Sequence, residues 1–174
     1  MEARVLGTTN EVVAPRWVEQ RLGATWLRII DVRTCIPGPE DRKSGVRLAV
    51  REALPELTPL ERGHVPGSVL LDVTATLFDE LGAVVWAPEL ARAMAQLGVG
   101  DEHTVVIVDD ATPETSLVLA SLLRRAGHDK TFLLAGGFSR WSAEGRCVSL
   151  TLAVHPPASF TARMTSHVDR RYGK

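Results

Sequence analysis

Short runs of aliphatic and β-branched residues alternate with helical patterns along most of the chain, and this alternation constrains the fold most strongly. Such runs, bounded by polar residues and glycines, are typical of strands buried on both faces. The predicted strands cover residues 26–32, 68–71, 104–108 and 131–135. Strands that alternate with helices pair in parallel, because each helix returns the chain to the same edge of the sheet. We therefore expect an α/β fold with a central, mostly parallel sheet and helices on both faces.

Proline and glycine mark the ends of the helices between these strands. Pro15 and Pro88 are predicted first helical residues, where a missing backbone N–H costs nothing, and Gly23 and Gly98 follow the two helices. The predicted helices cover residues 15–22, 88–97, 116–126 and 138–143. A proline-rich stretch, residues 37–66, interrupts the alternation and has room for one helix around residues 46–54.

The length of 174 residues fits one folded domain, which can bury a core without disulfides or a structural metal. We predict an N-terminal extension over residues 1–11, the domain over 12–150 with an insertion at 37–66, and a basic C-terminal tail over 151–174. Long loops such as the insertion are often functional.

Charge and composition exclude several classes of function. Twenty basic residues against 21 acidic ones give a net charge of -1, so nucleic acid is not an expected partner. No apolar run approaches the roughly 20 residues of a membrane helix. The first residues lack the pattern of a secretory signal, and a cytoplasmic location is expected. Two cysteines, Cys35 and Cys147, match no metal-ligand spacing, so neither metal nor cofactor is predicted.

Ligands of open α/β sheets bind beyond the carboxyl ends of the strands. This rule selects the residues after each predicted strand: Arg33 to Cys35, Asp72, the 109–115 loop, and the Gly136-Gly137 pair. Of these, the 109–115 loop leads directly into a long helix. The N-terminus of such a helix is a ready anion site, because its free N–H groups and the helix dipole point the same way.

Several motifs, taken in order, resemble the rhodanese (sulfurtransferase) domain over about residues 12–148. They are Asp31-Val32-Arg33, Gly63-His64-Val65-Pro66-Gly67-Ser68, Gly127-His128, and the stretch Leu133-Leu134-Ala135-Gly136-Gly137-Phe138-Ser139-Arg140-Trp141. The insertion and the Asp109-Asp110 pair are most similar to the N-terminal, non-catalytic half of tandem thiosulfate and 3-mercaptopyruvate sulfurtransferases. The resemblance therefore implies a stand-alone relative, or a domain whose catalytic half lies on another chain.

The resemblance also implies what the loop lacks. Its residues are Asp109, Asp110, Ala111, Thr112, Pro113, Glu114 and Thr115. In active rhodaneses the corresponding cradle begins with the nucleophilic cysteine and often ends with arginine, and these positions hold Asp110 and Thr115 here. A carboxylate cannot form a persulfide, which requires a thiolate. Pro113 also removes an N–H, and Glu114 adds negative charge, so all four residues oppose anion binding.

Three interpretations of the loop and its neighbours remain open. In the structural one, Thr112 caps a helix, Pro113 occupies its first position, and Glu114 complements its dipole. In the second, Asp109, Asp110 and Glu114, with Asp72 or His64, form an acidic pocket for a cation or for acid/base chemistry. In the third, Cys35 is a relocated persulfide site.

Three residues outside the loop have a structural interpretation. Asp31 and Arg33 are expected to tie a strand end to neighbouring loops, and His64 to hold the turn before Pro66. The leading hypothesis is a rhodanese-fold protein without conventional thiosulfate sulfurtransferase activity, acting as a binding or regulatory module or as the partner half of a sulfurtransferase. Candidate partners are a catalytic rhodanese domain or a small molecule, and the sequence leaves the oligomeric state open.

Overall fold

The computed structural model describes residues 12–33, 62–77, 87–110 and 114–163. Its strands, labelled in chain order, are β1 Val12–Val13, β2 Leu27–Asp31, β3 Ser68–Leu70, β4 Thr104–Val108 and β5 Thr131–Leu134. Its helices are α1 Pro15–Glu19, α2 Val73–Leu77, α3 Pro88–Gln96, α4 Glu114–Arg125 and α5 Gly137–Ala143. The helix predicted around residues 46–54 lies outside these ranges.

The strands form one parallel sheet in the order β1-β5-β4-β2-β3. In its centre, Ile30 of β2 stands opposite Ile107 of β4. The prediction of an α/β fold with a mostly parallel sheet is confirmed. The edge strand β1 was not predicted, because two residues are too few to show a periodic pattern.

The helices begin largely where the sequence predicts. Pro15 and Pro88 are the first residues of α1 and α3. Helix α1 is shorter than predicted, since Gln20 already caps its C-terminus. Helix α4 begins at Glu114, two residues earlier than predicted, and α2 was not predicted. Among the described helices, none is long and apolar enough to cross a membrane.

Helices cover both faces of the sheet. Along β4, Val105 and Ile107 belong to one buried cluster, which includes residues of α3 and α4. Val106 and Val108 belong to the second, which includes residues of α1 and α5. Each fully buried aliphatic side chain contributes about 1.5–3 kcal/mol relative to an exposed one. Because helices cover both faces of the sheet, a ligand can reach it only near the ends of the strands.

Residues 151–163, part of the predicted tail, pack against the domain. Phe160 is buried in the cluster that contains α3 and α4. The backbone N–H of Ala158 donates to Ala95 O at 3.0 Å, and that of Arg163 donates to Ala126 O at 2.7 Å. This part of the chain is therefore not a free tail. The sequence did not reveal this packing, because Phe160 is a single large apolar residue after Pro156 and Pro157 and belongs to no helical or strand period.

Candidate functional site

The loop after β4 and the turn after β5 are held together at the carboxyl edge of the sheet. The N–H of Phe138 donates to Asp109 O at 2.7 Å. Gly137 has a φ of 59°, and a Cβ at this position would lie 2.9 Å from the carbonyl carbon of Asp109. Only glycine combines this backbone conformation with so close an approach. The glycine pair therefore fixes the backbone at the start of the candidate loop.

Asp109 caps the helix that follows. One of its carboxylate oxygens accepts the N–H of Ser116 at 3.1 Å, and the other accepts the N–H of Asp110 at 2.7 Å. A carboxylate in this position satisfies an end donor of α4 and complements the helix dipole. The sequence favoured Thr112, which lies outside the described residues together with Ala111 and Pro113. Asp109 was missed as a cap because it stands seven residues before Ser116, outside the usual capping spacing.

Asp110 is bound by residues from two other parts of the chain. Its Oδ1 accepts a hydrogen bond from Ser139 Oγ in α5, and its Oδ2 lies 4.0 Å from Arg62 Nη1. The side chain remains a quarter exposed. Glu114 is exposed and Thr115 is half-buried. The carboxylate that stands at the predicted nucleophile position is thus already paired with a hydroxyl and faces a cation.

Asp31, Arg33 and His64 form a buried cluster beside this loop. Arg33 donates from Nε to Asp31 Oδ1 at 3.0 Å and from Nη2 to Asp31 Oδ2 at 2.6 Å. Its Nη2 also donates to Gly63 O at 2.7 Å, and its guanidinium lies 3.7 Å from the centre of the Phe138 ring. These contacts tie the end of β2 to the approach to β3 and to α5.

His64 faces the same carboxylate. Its Nδ1 lies 3.0 Å from Asp31 Oδ2, while its backbone forms an isolated antiparallel bridge with Ser149. His64 therefore contacts Asp31 rather than the carboxylates of the candidate loop. Asp72 is half-buried after β3, and its carbonyl accepts the N–H of Thr76 in α2 at 3.0 Å.

Neither cysteine adds a nucleophile to the described part of the site. Cys35 lies outside the described residues. Cys147 is a free, exposed thiol, and its carbonyl accepts a hydrogen bond from Trp141 Nε1 at 2.8 Å. Within the described ranges, no group of three or more His, Cys, Asp or Glu side chains is arranged to hold a metal ion.

Two histidines with lowered pKa values lie at the opposite edge of the sheet. His103 precedes β4 and His128 precedes β5. Burial lowers the pKa of both imidazoles, because removal from water disfavours the charged form. His128 stacks on Phe160, with ring centres 5.5 Å apart. His128 therefore belongs to the packing of the C-terminal segment, whereas the Nδ1 of His103 accepts the N–H of Gly100 at 2.7 Å.

The parallel sheet, the capped loop after β4 and the glycine turn after β5 define an α/β domain with its candidate site at the carboxyl edge of the sheet. The family model of the rhodanese-like domain matches residues 14–144, and the chain belongs to that family.

Curated relatives are similar over most of this chain. The 3-mercaptopyruvate sulfurtransferase of Escherichia coli K12 is 28% identical over 159 residues, covering 89% of this chain and 52% of that protein. The sulfur carrier protein TtuD of Thermus thermophilus is 24% identical over 127 residues, covering 72% and 45%. The chain thus spans about half the length of these relatives.

Solved structures share the fold. SseA, a 3-mercaptopyruvate sulfotransferase from Escherichia coli, superposes with a TM-score of 0.63 at 24% identity, covering 91% of this chain and 57% of that one. The Tum1 protein of Saccharomyces cerevisiae has a TM-score of 0.63 at 18% identity, with coverages of 89% and 50%. At such identities the likeness establishes the fold alone.

Proposed function

We propose that this rhodanese-family domain does not transfer sulfur through the loop after β4. It acts instead as a binding or regulatory module, or as the partner half of a sulfurtransferase, in the manner of the N-terminal half of a tandem enzyme. The proposal rests on the position and the hydrogen bond of Asp110. This residue stands where the resemblance puts the nucleophilic cysteine, and its carboxylate is bonded to Ser139.

The chemistry of the loop supports the same proposal. A persulfide requires a thiolate that attacks sulfur, and a carboxylate forms no such intermediate. The Asp109 carboxylate also accepts two backbone N–H groups that an anionic ligand would otherwise use. Two carboxylates beside a bound thiosulfate would repel it. Both the nucleophile and the anion site of a sulfur-transfer reaction are therefore replaced.

The test is a thiosulfate:cyanide assay on the purified protein. The expected result is thiocyanate formation no faster than in a heat-killed sample. The Escherichia coli 3-mercaptopyruvate sulfurtransferase, assayed in parallel with mercaptopyruvate as well, shows that the conditions support turnover. Clear turnover by this protein with either donor that persists in Cys35→Ser refutes the proposal.

A second candidate is a sulfur carrier that uses Cys35. The observation that favours it is the similarity to the Thermus protein described as a sulfur carrier. The Cys35 thiolate would attack the outer sulfur of thiosulfate and release sulfite, or take the sulfur of mercaptopyruvate and release pyruvate, and so gain one sulfur, about 32 Da, as a persulfide. That gain should disappear in Cys35→Ser and persist in the matched control Cys147→Ser. An unchanged mass in the wild type eliminates this candidate.

Acid/base chemistry on another small molecule has less support. It requires Asp110 or Glu114 to act on a ligand in a sheltered pocket. Glu114 is exposed, and Asp110 is paired with Ser139 and faces Arg62. Neither side chain therefore has the sheltered surroundings that a general base requires. We also propose a cytoplasmic location, in keeping with two cysteines that match no disulfide framework.

A further inference from the structure

Residues 153–163, which we call the strap, cross the edge of the sheet opposite the candidate loop. The N–H of Ala153 donates to Ser68 O, at the start of β3, at 2.8 Å. Further along, Phe160 is buried in the cluster that contains α3 and α4. The strap contains no helix or strand of its own, so contacts of this kind keep it on the domain.

The turn before β4 is a main attachment of the strap. The N–H of Asp101 donates to Ser159 O at 3.0 Å, and the carboxylate of Asp101 accepts the N–H of Thr161 at 2.8 Å. Gly100 lies so close that an added Cβ would be 3.0 Å from Ser159 O. The strap can therefore stay bound only while this turn keeps its conformation.

His103 holds the turn through a contact that requires a neutral ring. Its Nδ1 accepts the N–H of Gly100 at 2.7 Å, and its Nε2 lies 3.2 Å from Glu102 Oε1. These two contacts assign the single ring proton to Nε2, because a ring nitrogen that accepts an N–H carries no proton. A second proton would have to bind Nδ1, where it would face the N–H of Gly100. Protonation therefore breaks the hydrogen bond that shapes the turn.

Two further histidines contact the strap or belong to it. The ring of His128 is buried and stacks on Phe160, with ring centres 5.5 Å apart. His155 is part of the strap and packs against Gly98, where an added Cβ would overlap that of the histidine. The Nε2 of His155 is buried and has no hydrogen-bond partner among the described residues. A proton on that atom would be a buried donor without an acceptor, which is costly.

Burial and charge around these rings favour their neutral forms. Burial is the largest cause that lowers the pKa of all three imidazoles. The guanidinium of Arg28 lowers the pKa of His103 and His155 further, and the other two imidazoles add to the effect on His103. Glu102 acts in the opposite direction on His103, but its side chain is 69% exposed and water screens its charge. The backbone of Gly67 favours the charged form of His155, by less than burial disfavours it.

The surroundings of His128 contain groups of both signs. Its own carbonyl, that of Gly100 and the Asp101 carboxylate favour the charged imidazole, whereas Lys130 disfavours it, and burial outweighs them all in lowering the pKa. Asp101 keeps its charge near neutral pH, because the hydrogen bond that it accepts from the strap lowers its pKa, as does nearby Arg163. Among these groups, the histidines are therefore the ones that change charge between about pH 7.5 and 5.5.

We propose that His103, His128 and His155 hold the strap only in their neutral forms, and that their protonation releases the strap while the sheet stays folded. Release withdraws Phe160 from its place beside α3 and α4 and opens that apolar groove to solvent. All three rings act in the same direction. A group whose pKa is lowered in the bound state stabilises that state above its ordinary pKa of about 6.5, and this stabilisation is lost as pH falls through the lowered value. The inference is independent of whether the domain transfers sulfur.

Amide hydrogen exchange of the full 174-residue chain, measured by NMR and divided by the intrinsic rate at each pH, tests the proposal. The protection factors of Ala158, Thr161 and Arg163 should fall about tenfold or more from pH 7.5 to 5.5. Each histidine that is freed from burial contributes up to about tenfold at one pH unit below its ordinary pKa. The amides of Val106 and Ile107 in β4 should keep larger protection factors at every pH, because the strap opens without unfolding of the sheet.

Substitutions of the histidines separate their titration from other effects of acid. His103→Asn keeps an acceptor for the N–H of Gly100 but binds no proton near neutral pH. Combined with His128→Gln and His155→Gln, it should leave strap protection at pH 5.5 within about twofold of that at pH 7.5. The single variant His155→Gln, at a half-buried position, should reduce the fall. Strap amides whose protection does not change with pH, or that always match those of β4, overturn the proposal, as does a triple variant with the pH dependence of the wild type.

Discussion

Replacing Arg33 with alanine should destabilise the domain far more than an equivalent change on the surface. The side chain is 1% exposed and supplies two donors to the fully buried carboxylate of Asp31, together with one to Gly63 O. Arg33→Ala leaves that carboxylate buried, with much of its charge uncompensated. Breaking a buried ion pair in this way costs about 3–5 kcal/mol. Since folded domains are stable by only about 5–15 kcal/mol, roughly a fifth or more of the stability should be lost.

Urea denaturation followed by circular dichroism measures this loss. Arg140→Ala is the matched control, because Arg140 also pairs with a carboxylate, that of Glu144, but is half exposed, and its removal should change the midpoint little. The double variant Asp31→Asn/Arg33→Met removes both charges and should recover part of the stability lost in Arg33→Ala. A loss under about 1 kcal/mol for Arg33→Ala would refute the reasoning, since that is the range of exposed pairs. Equal losses in the two alanine variants would refute it as well.

Three further predictions concern stability. Burial lowers the pKa of His128 and His103, so their contribution to stability is fully present above their unfolded pKa of about 6.5 and is lost as pH falls through the lowered values. The melting temperature should therefore fall on acidification, and it should fall less in His128→Gln. A melting temperature that rises on acidification contradicts this prediction. Gly137→Ala should lower the urea midpoint more than Gly67→Ala. Both positions have a positive φ, which costs alanine about 1–2 kcal/mol, but only the Cβ at position 137 would contact Asp109. Equal effects of the two substitutions would show that this contact is unimportant. Asp109→Ala should lower the free energy of unfolding by about 0.5–2 kcal/mol, because the cap of α4 is lost. Glu114→Ala, at an exposed residue of the first turn of α4, should lower it less. The reverse order in urea denaturation would argue against Asp109 as the cap.

The sequence predicts the sheet well because its strands are buried on both faces. Each of β2 to β5 contains a short run of apolar residues, and proline or glycine marks the ends of the predicted helices. The fold class therefore follows from local signals alone. Strand β1 escapes prediction because its two residues pair with β5 only through the tertiary fold. Phe160 escapes for a similar reason, since its burial depends on the groove beside α3 and α4 rather than on its sequence neighbours.

The candidate site is predictable in its residue types but not in its contacts. Spacing and resemblance single out Asp110 as the residue at the nucleophile position. That Ser139 binds it depends on where α5 lies relative to β4, which no local pattern gives. The role of Asp109 is hidden in the same way, because its carboxylate reaches a donor seven residues further along the chain. Contacts between side chains of different helices and strands can be identified only from the folded structure.

We propose that the loop after β4 neither accepts sulfur nor holds an anion. The most direct measurement is a titration of the isotope-labelled protein with thiosulfate, followed by the NMR amide signals of Asp110 and Ser116. Both N–H groups already donate to the Asp109 carboxylate. We predict that their chemical shifts stay unchanged up to millimolar thiosulfate. Saturable shifts at these two amides would show that the loop does bind the anion.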